Sequence, residues 1–253
     1  MTALRDLDGD GRAEAILEEA LERPGDGMRA ELKDAKRPRV RYSLHRLDDA
    51  LDVVAEPYAT FVAEGHDFGE SGGGDGLPLG FERFVDLDGD GREELVTVTL
   101  DFSLFQAVRV LATKRISIGT DFHVYHQAPD GSFVEVEGLD LGEKLKFDLN
   151  DLSLGRFAQF AGDFDGDGRQ DFVHLGRGRN VTVHLGQPGA RYPVKPDRVI
   201  ELEAEPDGLE LVRIEDLDGD GRSDLRVTRP IPSTDPDVTA PVRLELHLSG
   251  GQP

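Results

Sequence analysis

The stretch that decides the fold of this chain is "DLDGDGRAE", Asp6–Glu14, close to its start. It places four acidic side chains and two glycines in nine positions. A single stretch of this kind fits a polar surface turn, a fragment of an EF-hand or another kind of metal-binding loop. The remainder of the chain separates these alternatives.

The stretch recurs three times. The further copies are "DLDGDGREE" at Asp86–Glu94, "DFDGDGRQD" at Asp163–Asp171 and "DLDGDGRSD" at Asp216–Asp224. All four keep the pattern Asp-x-Asp-Gly-Asp-Gly-Arg-x-(Asp/Glu), and their starts are separated by 80, 77 and 53 residues. Repetition at this scale indicates related structural units that differ by insertions.

The segments around each copy also repeat. An extended apolar segment precedes it, and two or three alternating segments such as "ELVTVTL" and "VTVHLG" follow it, as expected for short strands. Each unit therefore has about four antiparallel strands, the content of one propeller blade. The predicted fold class is all-β, a β-propeller of four-stranded antiparallel blades, with about four blades in a single region 1–253 that is complete or part of a larger propeller. The approximate blades are 1–68, 81–140, 156–204 and 209–253.

Four segments between the predicted strands have a different character. Gly69–Gly80 and Leu141–Gly155 are interpreted as connections between blades. Leu17–Arg39 and Leu100–Thr120 are interpreted as inserts, the first partly helical and the second an extra hairpin.

The composition excludes several classes of function. The chain has 29 Lys and Arg against 51 Asp and Glu, a net charge of −22, which opposes binding to nucleic acid or to an anionic membrane surface. It contains no cysteine, which excludes disulfides, zinc–thiolate sites and cysteine nucleophiles. No long apolar run predicts membrane insertion, and the first residues do not have the pattern of a signal peptide. Excess carboxylate is typical of a binder of several cations or of a very soluble surface.

The loop itself has the chemistry of a cation site. Acids at positions 1, 3 and 5 can point three carboxylates at one centre, and glycine at position 6 allows the tight turn. Position 7 is predicted to present its backbone carbonyl with the arginine side chain pointing outward, and the acid at position 9 to complete the cage. Ligation by oxygen alone suits Ca²⁺ better than Mg²⁺ or Zn²⁺.

An EF-hand is excluded by position 12, which must carry a bidentate acid. That position holds a residue that cannot serve in any copy, namely Leu17, Thr97, His174 and Val227.

The loop between strands, in units such as "FAQFAGDFDGDGRQDFVHLGRGRNVTVHLG", resembles the FG-GAP/VCBS repeats of integrin-α-like β-propellers. The resemblance covers nearly the whole chain and implies a Ca²⁺ ion in the loop between the first two strands of each blade, up to four ions in all. Two features depart from the family pattern: only four motifs are present, and Glu replaces Asp at position 9 in the first two. The implied ligands are Asp6, Asp8, Asp10, Arg12 (carbonyl) and Glu14; Asp86, Asp88, Asp90, Arg92 (carbonyl) and Glu94; Asp163, Asp165, Asp167, Arg169 (carbonyl) and Asp171; and Asp216, Asp218, Asp220, Arg222 (carbonyl) and Asp224.

Histidines recur in the strand that follows the loop strand. His45, His126, His184 and His247 are placed at one equivalent position, and a packing or hydrogen-bonding role is predicted for them rather than a shared metal. No nucleophile elbow, zinc pair or phosphate loop is present in the sequence, so no catalytic residue is predicted.

The expected function is that of a calcium-binding module outside the cytoplasm, either extracellular, on the cell surface or periplasmic. It would serve adhesion or bind an unknown protein or glycan ligand, without nucleic acid, and further blades or domains of a longer chain would be its neighbours. Two alternatives stay open at this point. One is a polysaccharide-active, lyase-like enzyme on a propeller scaffold, and the other is a structural spacer of a larger secreted protein.

Overall fold

The protein is described from a computed structural model that covers residues 3–21, 33, 36–66, 83–101, 115–148, 153–154, 157–175, 178–206, 211–231 and 241–250. Its named elements are β-strands, numbered β1 to β17 in chain order, and Lys33 and Lys36 are helical. The strands form four separate antiparallel sheets, here sheets 1 to 4. The predicted all-β fold class is therefore confirmed. No helix in the described part of the chain is long and apolar enough to cross a membrane.

Sheets 1 and 3 have four strands each, in sequence order. Sheet 1 consists of β1 (Ala3–Arg5), β2 (Glu14–Leu21), β3 (Arg39–His45) and β4 (Ala59–Glu64). Sheet 3 consists of β11 (Phe157–Phe160), β12 (Phe172–Leu175), β13 (Asn180–His184) and β14 (Arg198–Glu201). In both sheets the acidic motif is the loop between the first two strands, as predicted.

Sheets 2 and 4 depart from four strands. Sheet 2 has the order β10-β9-β7-β6-β5, with β8 also paired to β7; sheet 4 has the order β15-β16-β17. The strands of sheet 2 are β5 (Phe84–Val85), β6 (Glu94–Asp101), β7 (Arg115–Gln127), β8 (Phe133–Glu135), β9 (Glu143–Asp148) and β10 (Ser153–Leu154). Those of sheet 4 are β15 (Val212–Glu215), β16 (Asp224–Pro230) and β17 (Val242–His247).

The interpretation of Leu141–Gly155 as a plain connection is wrong, because this segment forms β9 and β10. The other predicted connection, Gly69–Gly80, lies outside the described residues. So do residues 22–32, 34–35 and 102–114 of the two predicted inserts. The bounds predicted for these inserts are wrong, because 17–21 belongs to β2 and 115–120 belongs to β7.

The alternation of side chains gives each sheet two faces, which we define from the motif. Face A carries position 11 of the motif, and face B carries position 10. The pairing registers align these positions between sheets, since Ile16 lies opposite Leu44 just as Val173 lies opposite Val183. The position-11 residues are Ile16, Val96, Val173 and Arg226, and the position-10 residues are Ala15, Leu95, Phe172 and Leu225.

The chain divides into two compact units, and each has its own core. The first comprises Met1–Ser103, Ile118–Gly142 and Pro188–Arg191, and its core joins face A of sheet 1 to face B of sheet 2. The second comprises Leu104–Ser117, Glu143–Gln187 and Tyr192–Pro253, and its core joins face A of sheet 3 to face B of sheet 4. The same packing of one sheet on the next therefore occurs once in each unit.

Candidate metal centres

The four acidic loops, numbered 1 to 4 in chain order, share one backbone conformation. Glycine at position 6 has a positive φ in every loop, with values from 83° to 86°. A Cβ atom at this position would meet no other atom, but residues other than glycine rarely adopt this φ. The backbone conformation therefore explains why glycine occupies position 6. Its N–H donates to the carboxylate at position 1 over 2.7–3.0 Å in all four loops. The N–H at position 7 donates to the carboxylate at position 5 over 2.8–3.0 Å.

Three carboxylates converge in each loop. One oxygen of each lies within 4.8 Å of the oxygens of the other two. In loops 1 to 3 the three come from positions 1, 3 and 5, whereas in loop 4 they come from positions 1, 3 and 9. The clusters are Asp6, Asp8 and Asp10; Asp86, Asp88 and Asp90; Asp163, Asp165 and Asp167; and Asp216, Asp218 and Asp224. The structure thus brings together twelve of the sixteen acids that the sequence assigned to these sites.

The acid at position 9 has a different setting from the other three. It is buried in every loop, at Glu14, Glu94, Asp171 and Asp224. One of its oxygens accepts the backbone N–H of position 2 over 2.7–2.9 Å. It joins the cluster only in loop 4, where the position-5 acid does not, so the cage of four carboxylates predicted from the sequence stays a prediction for all four loops.

The four loops differ in the partner of the second carboxylate oxygen of the position-9 acid. In loops 3 and 4 it accepts a backbone N–H, from Gly186 at 2.8 Å and Ser249 at 2.7 Å. In loop 2 the Glu94 carboxylate lies 3.0 Å from Nδ1 of His126. In loop 1 the longer Glu14 faces Arg46, whose Nη1 is 3.8 Å away.

Arg46 lies beside loop 1 and was not predicted from the sequence as a residue of this site. Its guanidinium also lies 3.1 Å from Asp8 and 3.6 Å from Asp10. The corresponding residue is Leu185 beside loop 3 and Leu248 beside loop 4. The signal was available in the sequence, because each of these residues follows a repeated histidine directly.

Burial raises the pKa values of the position-9 acids. The pKa of Glu14 and that of Glu94 are each raised to about 7, mainly because burial disfavours the charged form, and the backbone N–H of position 2 opposes this. Burial likewise raises the pKa of Asp171 to about 6. Burial, followed by repulsion from Asp167 and Asp163, raises the pKa of Asp165. Keeping these buried acids charged is therefore costly without a counter-cation.

The donor set fits a hard cation. The converging ligands are all carboxylate oxygens, the donors that such ions prefer. Two carboxylate oxygens of these residues, Oδ1 of Asp6 and Oδ1 of Asp165, are buried without a hydrogen-bond partner. Buried polar atoms in proteins are nearly always paired, so these two have capacity for a ligand.

The sequence had suggested that the arginine side chains at position 7 point outward. In the structure, not all of them do. That prediction is wrong for Arg92, whose Nη2 lies 3.3 Å from Asp90, and for Arg169, which contacts Asp167 and donates to Gly186 O at 2.9 Å. Both side chains fold back onto the position-5 carboxylate of their own loop. The carbonyls of Arg12, Arg92, Arg169 and Arg222 stay predicted ligands.

The repeated histidines are equivalent in only three sheets. His45, His184 and His247 lie opposite position 10, but in sheet 2 that place belongs to Tyr125. His126 is one residue further along, so its assignment to the common position is wrong. Nδ1 of His45 lies 2.7 Å from Val54 O, and that of His184 lies 2.8 Å from Pro193 O, nine residues later in each case.

A polar cavity of about 400 Å³ lies at the side of sheet 2. In its wall, His123 Nδ1 is 2.9 Å from Glu135, and Nε2 is 3.2 Å from the Thr99 hydroxyl. A hydroxyl group that is hydrogen-bonded to an imidazole, itself bonded to a carboxylate, can act as an activated nucleophile. Here Thr99 is buried, so its hydroxyl is closed to a substrate. Sequence reasoning found no pattern at His123, because its two partners come from two other strands, β6 and β8.

Comparison of the chain with protein-family models, curated proteins and solved structures gave no match in any of the three.

Proposed function

We propose that this chain is a calcium-binding β-repeat module, a run of consecutive β-propeller blades similar to FG-GAP/VCBS repeats, that acts outside the cytoplasm. Its role would be adhesion or the binding of a protein or glycan ligand. The observation that carries the proposal is the convergence of three carboxylates in each of four equivalent loops. A surface turn needs at most one carboxylate side chain. Three converging carboxylates in each of four loops indicate that the three in each loop bind a common ligand.

Calcium is the ion that best suits these loops. It accepts oxygen ligands in flexible geometry, and carboxylates mixed with backbone carbonyls are its usual protein ligands. Mg²⁺ demands a tighter octahedron with several waters, and nitrogen or sulfur ligands favour Zn²⁺. Each bound Ca²⁺ would neutralise carboxylates that otherwise repel one another, so its role would be structural.

The repeated packing of sheets supports the propeller part of the proposal. In each unit, face A of one sheet packs on face B of the next sheet in sequence. Blades of a propeller stack in the same sequential manner around an axis. Because each motif loop joins the first two strands of its sheet, a bound ion would fasten those strands together.

The energetics favour a location rich in Ca²⁺. Extracellular calcium modules bind with a Kd of about 10⁻⁴–10⁻³ M. At about 1 mM free Ca²⁺ and a Kd of about 0.1 mM, each site adds about 1.4 kcal/mol, or about 5–6 kcal/mol for four independent sites. That sum is comparable to the stability of an ordinary domain. The sites would be empty at cytosolic Ca²⁺ levels, which favours an exported protein.

Thermal unfolding in EDTA and in Ca²⁺ tests this proposal. We expect a rise of about 10–20 °C on adding about 1 mM Ca²⁺, since about 1 kcal/mol shifts the melting temperature by about 2–4 °C at this size. An unchanged melting temperature would refute a structural role for calcium. A glycan array in the same two buffers tests ligand binding, and turnover of a polysaccharide would instead favour the enzyme alternative.

A matched pair of variants makes the test specific to the loops. Asp163→Asn removes a charge from the loop 3 cluster, whereas Asp48→Asn removes one outside the clusters. Both residues accept backbone N–H groups in a turn, Asp48 from Ala50 and Asp52. We expect only Asp163→Asn to reduce the gain in stability on adding Ca²⁺. An equal reduction by Asp48→Asn would assign the effect to general screening of the acidic surface.

A further inference from the structure

One further residue stands opposite the position-9 acid of each loop. The pairing registers, carried one step beyond position 10, place there Arg46, His126, Leu185 and Leu248, in the order of the loops. Only histidine among these side chains offers a nitrogen lone pair, because arginine stays protonated and leucine has no polar atom. Of the four loops, all of which lie within the described residues, loop 2 alone has a nitrogen ligand at this place.

Nδ1 of His126 lies near two carboxylates of loop 2. It is 3.0 Å from Oε1 of Glu94 and 4.0 Å from Oδ2 of Asp88. Nitrogen and oxygen ligands bind Zn²⁺ at about 2.0–2.2 Å, so two ligand atoms at a right angle are about 3.0 Å apart and two opposite ones about 4.2 Å apart. Both separations from Nδ1 therefore lie within the span of one such ion.

The two carboxylates are shielded from solvent and held in place by backbone groups. The Glu94 side chain is 0% exposed and that of Asp88 is 6% exposed, against 20% for Asp8 at the same position of loop 1. Oε2 of Glu94 accepts the N–H of Leu87 at 2.8 Å. Oδ2 of Asp88 accepts the N–H of Gly189 at 2.7 Å. Hydrogen bonds of this kind orient the ligands of a metal ion.

We propose that loop 2 is a site for a divalent transition-metal ion of the zinc type, which it binds in preference to Ca²⁺. The protein ligands are Nδ1 of His126, Oε1 of Glu94 and Oδ2 of Asp88. An imidazole nitrogen suits Zn²⁺, whereas Ca²⁺ takes oxygen ligands, so the donor set that favours calcium in the other loops changes here. Three protein ligands leave a fourth position for water. The inference rests on the proposed function in one respect, that loop 2 is a cation site.

Zinc titration in the presence of calcium tests this proposal. At about 1 mM Ca²⁺, which extracellular calcium modules bind, we expect calorimetry to show one Zn²⁺ bound per unmodified chain. His126→Leu gives loop 2 the residue that loops 3 and 4 carry. It should weaken zinc binding at least about tenfold, since even residues that only support a metal ligand are worth about 10–100-fold.

His123→Leu is the matched control variant. His123 lies on the same strand as His126, and its Nδ1 is 2.9 Å from the Glu135 carboxylate, but no described ion pair joins it to a loop acid. We expect this variant to bind Zn²⁺ as the unmodified chain does. An equal loss in both variants would show that a histidine–carboxylate pair, and not loop 2, attracts the ion. Thermal unfolding checks that each variant is folded.

Anomalous diffraction at the zinc absorption edge locates the ion without any substitution. Crystals of the unmodified chain grown with Ca²⁺ and soaked in ZnCl₂ should show a zinc peak at His126 and none in loops 1, 3 and 4. Equal peaks in all four loops, no peak at His126, or zinc binding that survives His126→Leu would overturn the proposal. The calcium proposal is judged separately: a rise in melting temperature with Ca²⁺ in His126→Leu would support it even if no zinc binds.

Discussion

Replacing Arg46 by leucine should strengthen calcium binding in loop 1. The guanidinium lies 3.1 Å from Asp8, 3.6 Å from Asp10 and 3.8 Å from Glu14, so it competes with a cation for the same carboxylates. Loops 3 and 4 already carry leucine at this place, in Leu185 and Leu248. Arg46→Leu therefore gives loop 1 the side chain that the fold accepts elsewhere.

The magnitude follows from the number of ion pairs. The Arg46 side chain is half exposed, and exposed ion pairs contribute about 0.2–1 kcal/mol each. Three such contacts amount to about 0.6–3 kcal/mol, which lowers the Kd of loop 1 for Ca²⁺ by about three- to 150-fold. Arg41→Leu is the control, since Arg41 pairs with Glu19 on sheet 1 and contacts no loop carboxylate among the described pairs.

Terbium luminescence reports on loop 1 through Tyr58, and the difference between the unmodified chain and Tyr58→Phe separates this signal from that of loop 3, where the Tyr192 hydroxyl donates to Gln170 O. The chain has no tryptophan, and the Tyr58 ring lies 4.9 Å from the Arg46 guanidinium, so Tyr58 is the sensitiser for an ion bound there. Displacement of Tb³⁺ by Ca²⁺ then gives the affinity, and loss of the signal in Tyr58→Phe assigns it to loop 1. A Ca²⁺ affinity that is unchanged in Arg46→Leu, or that rises equally in Arg41→Leu, would refute the reasoning.

Three further predictions concern stability. In EDTA, protonation of Glu14 and Glu94 stabilises the fold, because burial raises the pKa of each to about 7. This contribution is complete below about pH 4.5 and should be lost as the pH rises through about 7. In thermal melts, Glu94→Gln should reduce this loss of stability. Arg229→Met should cost about 3 kcal/mol in urea unfolding, because the buried Glu245, 2.7 Å from Arg229 Nε, loses its guanidinium partner and keeps only the Glu203 N–H and His247; replacing Arg229 and Glu245 together by apolar residues should cost much less. Gly168→Ala should cost about 1–2 kcal/mol, since φ is +86° there and nothing obstructs the methyl group; a neutral result in urea unfolding would contradict the strain argument.

Much of the local structure could be predicted from the sequence. Period-two alternation beside a repeated loop located the strands, and the spacing of the aspartates placed three carboxylates together. Register was harder, because alternation does not mark which residue of β7 faces position 10, and Tyr125 stands where the other sheets have histidine. Segment 141–155 was interpreted as a connection although Leu145, Phe147 and Leu149 alternate with polar residues, and this alternation does predict the strands β9 and β10.

The environment of each side chain could not be predicted in the same way. Leu44 and Leu246 occur in similar alternating segments, but one is in a core and the other is exposed. Burial depends on which sheet lies next to the face, and that information is absent from the strand itself. Likewise, the contact of Arg46 with loop 1 depends on two strands lying side by side, 38 residues apart in the chain.

The central claim, that each loop holds a calcium ion, is tested most directly by a crystal structure in about 10 mM Ca²⁺, which exceeds the Kd of such modules. Data collected at a wavelength where calcium scatters anomalously should show one peak among the carboxylates of positions 1, 3 and 5 in loops 1 to 3. In loop 4 the peak should lie among Asp216, Asp218 and Asp224. Loops that keep this fold but show no anomalous peak at that concentration would contradict the account.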